Sequence, residues 1–388
     1  MRILVAALGS PGHSFPLVPL ALALRDEGHD VTFATGDDTR AAVAGAGLEV
    51  VVAGSGLGPA FREAIVRRGL TERPTDREEI FSVAAEVFGE VLPRGVVADL
   101  LPWFDEHRPD LVISETADPG AALVAARHDV PVVVHSFGRR APGALPMSGR
   151  VTAALAALGA GIGAGHLEVG APLGPVYLDI CPPSLQAAPD PSLGSAPLEL
   201  ALRPTPWNPV VAFTPQVTGG RWVYVTLGTA MGDAGVLRRA VEGLRRLDVD
   251  VLVATGSVEV GELADLDTDG VQVEPFVPQA DLFAAAPPAL VVHHGGSGTT
   301  LATAAAGIPQ MFLPQGADQF LNAEAVQSVG AGRLLPASAV GDAEAFVEAA
   351  GAMAARGAPQ RAPARALAAE IAAMPSPADV AADVARWV

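Results

Sequence analysis

The chain has 388 residues, half of them hydrophobic, enough for two packed cores, so two domains are the expectation. Its formal net charge of −18 argues against a nucleic-acid partner and against an anionic membrane surface. A single cysteine, Cys181, excludes an intrachain disulfide and suits a reducing cytoplasm. All 25 basic residues are arginine, which excludes phosphate-loop and Schiff-base lysines.

The N-terminal apolar stretch is too short for a signal peptide, because Gly9, Pro11, Gly12 and His13 interrupt it. It reads instead as a buried strand, "RILVAAL". "PLVPLALALRDEG" predicts a helix with prolines in its first turn and Gly28 at its end. "HDVTFAT" is a second strand. A helix comes next around Thr39 to Ala46, with Asp37 and Asp38 at its start, and "LEVVVAG" is a third strand. Residues 56–103 read as mostly helical, as do residues 138–175 with their Gly/Ala-rich run; both are read as substrate-facing insertions. Between them, "PDLVISE" and "PVVVHSF" flank the helix "PGAALVAARHD". Buried strands alternating with helices predict a parallel, doubly wound sheet.

Residues 182–221 are rich in proline and read as an extended interdomain connection. A second α/β series comes after it, with strands in "RWVYVTLGT", "VDVLVATG", "VQVEPFV", "ALVVHHGG" and "IPQMFLPQ". From Ser376 the pattern predicts a helix with Val380, Val384 and Trp387 on one side. The domains are therefore set at 1–205 and 206–375, with 376–388 a C-terminal helix packing back on the first. Two open α/β domains joined in this way would place a cleft at the C-terminal ends of the strands. No apolar run is long enough to span a membrane.

Three motifs carry chemistry. In "VVHHGGSGTTLATAAAG" a strand ends near His294 and a helix begins around Ser297 to Thr299. Glycines let the backbone approach a ligand, and the helix start presents free N–H groups to an anion. Taken alone, the same turn is an ordinary capped helix. His293, one residue earlier on the strand, faces the other way and reads as structural. "LPQGADQFLNA" places Gln315, Asp318, Gln319 and Asn322 at a strand end, a set suited to sugar hydroxyls, with N-capping by Asp318 as the plainer role. His13 lies in the turn "GSPGHSFP", where an isolated histidine is usually a cap or solvated. No cluster has metal-ligand spacing.

Taken together, "HHGGSGTT" succeeded by "PQGADQFLNA" resembles the donor-binding signature of family-1 glycosyltransferases of the GT-B fold. The likeness is nearest to actinobacterial enzymes that decorate macrolides, aromatic polyketides and enediynes. "GSPGHSFPLVPLALALRDEGHDVTFAT", "YLDICPPSLQ", "VYVTLGT" and "FVPQADLF" extend it over nearly the whole chain. The resemblance implies that His294, Gly296, Ser297, Gly298 and Thr299 hold a donor diphosphate, with Thr229 adding a contact. It implies that Phe276, Val277 and Gln279 border the base and ribose, and that Asp318 and Gln319 bind sugar hydroxyls. It makes His13 the general base, oriented by Glu115 or, in its place, Asp118. Phe137 and Arg139, in "SFGRR", would border the acceptor, although Arg139 and Arg140 read equally well as a solvated pair.

The fold class so implied is α/β, two Rossmann-like doubly wound domains of the GT-B fold. The implied activity is inverting transfer of a (deoxy)sugar from a nucleoside-diphosphate sugar, dTDP-linked, to a hydrophobic natural-product acceptor. No cofactor beyond this co-substrate and no metal is expected, because the helix terminus and His294 would neutralise the diphosphate. The protein is expected in the cytoplasm, without a nucleic-acid or membrane partner; a homodimer stays open. The rival readings are a GT-B nucleotide-sugar epimerase or hydrolase, and a non-catalytic sugar-nucleotide-binding auxiliary protein.

Overall fold

The computed structural model describes the chain apart from residues 73, 75, 141–146, 166–173, 189–197, 218–220, 230–231, 267–269, 317, 336–340 and 388. Parts of the expected insertion and of the proline-rich connection thus lie outside the described residues. The chain forms two compact units. The first comprises Met1–Ile180, Ala187–Leu202 and Pro375–Val388; the second comprises Cys181–Gln186 and Arg203–Met374. Sequence patterning sets a single exchange near residue 205 and a return at 376. The chain instead also lends Cys181–Gln186 to the second unit, where Cys181 and Leu185 are buried against Phe312 and Leu367.

The first unit is one parallel sheet of β1 (Arg2–Ala6), β2 (Asp30–Thr35), β3 (Glu49–Val52), β4 (Leu111–Glu115), β5 (Val132–His135), β6 (Val176–Asp179) and β7 (Leu198–Ala201). Their order is β3-β2-β1-β4-β5-β6-β7. The second is also parallel, with β8 (Trp222–Thr226), β9 (Asp250–Ala254), β10 (Val271–Glu274), β11 (Leu290–His293), β12 (Gln310–Phe312) and β13 (Gly332–Leu334). Its order is β10-β9-β8-β11-β12-β13. Both sheets are doubly wound: the chain works outward from the first strand on one side, then resumes on its other side. Buried Leu4, Val112, Val134 and Phe104 centre the first core, and Val223, Val253, Val292 and Phe346 the second. Each such side chain contributes roughly 1.5–3 kcal/mol by leaving water.

The structure departs from the sequence reading in places with a physical cause. The single helix expected over "PLVPLALALRDEG" is split into Phe15–Leu17 and Val18–Asp26, and a further short helix, Pro11–Ser14, precedes it. A proline sits in the first turn of each, and its missing N–H starts a helix but cannot continue one. Gly28 does close the last piece, at φ +86°. The proline-rich connection contains β7, which is mostly exposed at the sheet edge and so lacks the apolar signature of a strand. The helices Leu57–Arg67, Arg77–Glu86, Leu92–His107 and Ser148–Gly161 lie in the two stretches read as helical. At the chain's end a capping box between Ser376 and Asp379 starts the helix Pro377–Ala382, which packs on Val18–Asp26.

One close approach fixes the turn after β1. A Cβ built on Gly9 would lie 2.6 Å from Cα of Gly36, the residue after β2. Backbone cannot yield there as a flexible side chain would. Gly9→Ala is expected to destabilise the first unit by about 1–3 kcal/mol, as overpacking does. Urea denaturation checks this; a midpoint equal to that of the wild type would contradict the contact.

Candidate active site

Some candidate residues come after β5, β10 and β12, and in each unit others lie at the C-terminal ends of the two strands that flank the reversal of strand order. Open α/β sheets bind ligands at this place, because the loops there diverge to opposite faces. In the first unit these are β1 and β4, paired in register as Ala6 with Ser114. The short helix after β1 carries His13, and β4 ends on Glu115.

His13 Nδ1 lies 3.1 Å from Oε2 of Glu115, whose side chain has no exposed surface against 12% for the imidazole. The other carboxylate oxygen accepts the backbone N–H of Ala117 at 3.0 Å. A carboxylate at Nδ1 selects the tautomer with its proton there and leaves Nε2 basic. Phe137 stacks on the imidazole, with centroids 4.6 Å apart and planes 14° from parallel. Of the two acids considered for this position, Glu115 is the one in contact.

Asp118 is buried nearby, and its Oδ1 has no hydrogen-bond partner among the described residues. Burial, then the charge of Glu115, raises its pKa to about 7. His135, opposite Glu115 on β5, is likewise fully buried, and burial lowers its pKa to about 4. Arg139 is half-buried and reaches the carbonyl of Arg140 at 3.5 Å. Arg140 is no solvated partner to it. It bonds Glu199 at 2.6 and 2.9 Å and Asp179 at 3.1 Å, tying β6 to β7.

In the second unit the corresponding strands are β8 and β11, and Thr226 pairs with His293. His293 is buried, with Nε2 2.9 Å from Oε1 of Gln310 and Nδ1 accepting the N–H of Gly295 at 3.2 Å. Its role is structural, as strand alternation predicts. His294 packs its ring between two glycines. A Cβ on Gly228 would lie 2.5 Å from the ring and one on Gly296 closer still, and Gly228 has φ +77°. No substitution fits at Gly228 without moving the histidine. The pattern "VTLGT" points to this glycine, but its role as the seat of His294 emerges only in the structure.

Burial lowers the pKa of His294 to about 4, so the residue is neutral near pH 7. Nδ1 of His294 is buried without a partner among the described residues. The helix Ser297–Ala305 begins at Gly296 with no side-chain cap, so its first N–H groups face outward from the sheet end. Gly298 and Thr299 are half-buried in its first turn, and Thr229 is exposed just past β8.

Asp318 does not cap its helix, Gln319–Ser328, through its side chain. Its Oδ2 accepts from Ser297 Oγ at 2.9 Å and from Asn322 Nδ2 at 2.8 Å. Asn322 Nδ2 also reaches the Gly295 carbonyl at 2.9 Å. Asn322 therefore locks the two motifs together, a role its position in the sequence does not disclose. Gln319 Oε1 accepts the N–H groups of Gln315 and Gly316 at 2.7 and 3.1 Å, which holds the preceding loop. Of the "FVPQ" residues, Phe276 is 37% exposed and Gln279 is half-buried, whereas the Val277 side chain belongs to the core. Among the described residues, no group of three His, Cys, Asp or Glu side chains could hold a metal ion, and no helix is long and apolar enough to cross a membrane.

Two doubly wound parallel sheets, one with a histidine–carboxylate pair and one with a glycine turn before an uncapped helix, define a glycosyltransferase of the GT-B class. The family models for the erythromycin biosynthesis protein CIII-like N-terminal and C-terminal domains match residues 22–196 and 238–386, and the chain belongs to this family of natural-product glycosyltransferases. It is 34% identical to the elloramycin glycosyltransferase ElmGT of Streptomyces olivaceus, over 98% of this chain and 96% of that one. It also resembles the Streptomyces sp. SF2575 glycosyltransferase SsfS6 solved with thymidine diphosphate, at 29% identity and a TM-score of 0.78 over 100% of this chain and 99% of that one. The spinosyn rhamnosyltransferase SpnG solved with spinosyn aglycone gives 30% identity and a TM-score of 0.78, over 100% and 99% of the two chains.

The raised pKa of Asp118 has a consequence for stability. The folded chain holds this proton up to about pH 7, whereas an unfolded aspartate releases it near 4. Folding therefore loses stability as pH rises from about 4 to 7, by at most about 1.4 kcal/mol per unit, and the loss levels off above that. Asp118→Asn is expected to flatten this slope. Urea midpoints at pH 5, 6, 7 and 8 test it; an undiminished slope in the variant would assign the proton elsewhere.

Proposed function

We propose that this glycosyltransferase moves a deoxyhexose, with inversion, from a dTDP-sugar to a hydroxyl of a hydrophobic natural-product aglycone, with His13 as general base. The observation that carries the reading is the 3.1 Å contact between His13 and a fully buried Glu115. Imidazole held in this tautomer takes the acceptor proton on Nε2 as the oxygen attacks C1 of the sugar. The C1–O bond to the diphosphate breaks on the opposite face, and the nucleoside diphosphate leaves with the bonding pair. Glu115 stabilises the imidazolium that forms.

The leaving group's charge falls to the helix starting at Ser297 and to a hydrogen bond from His294. Asp318, whose Oδ1 is not used in the bonds to Ser297 and Asn322, serves the sugar hydroxyls. The thymidine diphosphate bound to SsfS6 and the aglycone bound to SpnG support this choice of donor and acceptor. The nucleotide sugar is the sole co-substrate, and no metal takes part. The match to a natural-product glycosyltransferase family model over the N-terminal domain counts against an epimerase or hydrolase.

His13→Ala is expected to lower transfer by about 10²–10⁴ while leaving dTDP affinity unchanged. Glu115→Gln should slow the same step by about tenfold or more, since the amide no longer stabilises the imidazolium. Product analysis beside calorimetric dTDP titration checks both; turnover near that of the wild type in His13→Ala would end this assignment. Transfer is also expected to persist in EDTA, and activity lost on chelation and restored by Mg²⁺ would show that a cation carries the diphosphate instead.

A further inference from the structure

At the opposite end of the second sheet from His294 lies a cavity of about 400 Å³. It opens where β8, β11 and β12 begin, and its lining includes Trp222, Pro288 and four arginines: Arg221, Arg356, Arg361 and Arg365. Arg221 stands just before β8. Arg361 and Arg365 lie one turn apart at the start of the helix Arg361–Ala373, and Arg356 is in the turn before it. In a chain with a net charge of −18, four like charges around one concavity need an account.

None of the four forms an ion pair among the described residues. Arg361 is held by main-chain carbonyls alone: Nε donates to Ala355 at 2.9 Å, and Nη2 to Ala289 and Ala354 at 3.2 and 3.3 Å. Arg221 donates to the carbonyl of Asp248 at 3.3 Å. These bonds fix guanidinium positions without neutralising them. Burial and then the charge of Arg365 lower the pKa of Arg361, as expected for a half-buried cation facing another. Arg356 and Arg365 are exposed, so their side chains can close on a ligand.

We infer that this cavity is a second anion site, built for a multiply charged phosphate group and separate from the donor loops. Guanidinium forks match phosphate oxygens two at a time, and a dianion or trianion relieves the repulsion that the arginines exert on one another. The cavity is larger than a single orthophosphate needs and suits a diphosphate. A free inorganic anion and the phosphates of a second nucleotide are its two sources.

The test is calorimetric titration of sodium pyrophosphate into the full chain already saturated with dTDP. The wild type is expected to take up one equivalent, more weakly as NaCl rises. Arg356→Gln/Arg365→Gln, both at exposed positions, should bind it about a hundredfold or more weakly, since each charged hydrogen bond lost is worth about tenfold or more. Its unliganded melting temperature should match that of the wild type. A second equivalent of dTDP, lost in the double variant, would identify a nucleotide as the source; uptake of pyrophosphate alone would identify the free anion. If dTDP does not bind and the donor assignment fails, the pyrophosphate event should still appear and still vanish in the double variant. No uptake of pyrophosphate by a chain that also takes up only one equivalent of dTDP, or uptake that survives in the double variant and vanishes in His294→Ala, overturns the inference.

Discussion

The constraint on which the rest depends is the reversal of strand order beside the first strand of each parallel sheet. β1 sits between β2 and β4, and β8 between β9 and β11. Right-handed crossovers then send the two halves of each unit to opposite faces, and the loops leaving β1 and β4, or β8 and β11, must part. Four residues of the proposed site hang on those strand ends: His13, Glu115, Thr229 and His294. Where backbones converge instead of parting, only glycine fits, as at Gly9 in the first unit and Gly228 in the second.

Burial decides the charge state of these groups. Asp118 keeps its proton to about pH 7 because it is enclosed beside Glu115, and His294 stays neutral because its ring is enclosed between glycines. On the proposed function, the second unit would meet an anion with aligned backbone dipoles and a neutral hydrogen-bond donor, and none of the residues proposed for the donor carries a positive charge. Such a site has a physical merit in group transfer. Fixed dipoles need no reorganisation as charge develops on the leaving oxygen, and they hold the departed anion less tightly than a buried cation would.

Much of this is legible in the sequence because both periodicity and motif spacing report on strand ends. Apolar runs such as "DLVISE" and "ALVVHH" place β4 and β11 within a residue or so, and the end of a strand sets where the next loop and helix start. Strand alternation alone separates His293 from His294. The features that stay hidden depend on contacts across the fold. Exposed β7 has no core face to pattern its residues, and three-residue β13 is too short to show a period. Asn322 bonds to Gly295, Ser297 and Asp318, a knot that no linear spacing displays. The charge of His294 is set by enclosure, which sequence does not measure.

The interleaving of the two units carries a consequence for synthesis and for recombination. The helix Pro377–Ala382 rests on Val18–Asp26, yet some 350 residues of chain separate them. During translation the first unit therefore waits for Pro377–Ala382 to emerge before its surface is complete, long after its sheet has been made. Loop-closure entropy across so long an interval costs little, because it grows only with the logarithm of length. The delay is one of order, not of energy. For the same reason a cut made once in the middle of the gene does not divide the protein at its joints. A chimera that respects the fold must carry Cys181–Gln186 with the second unit and return Pro375–Val388 to the first.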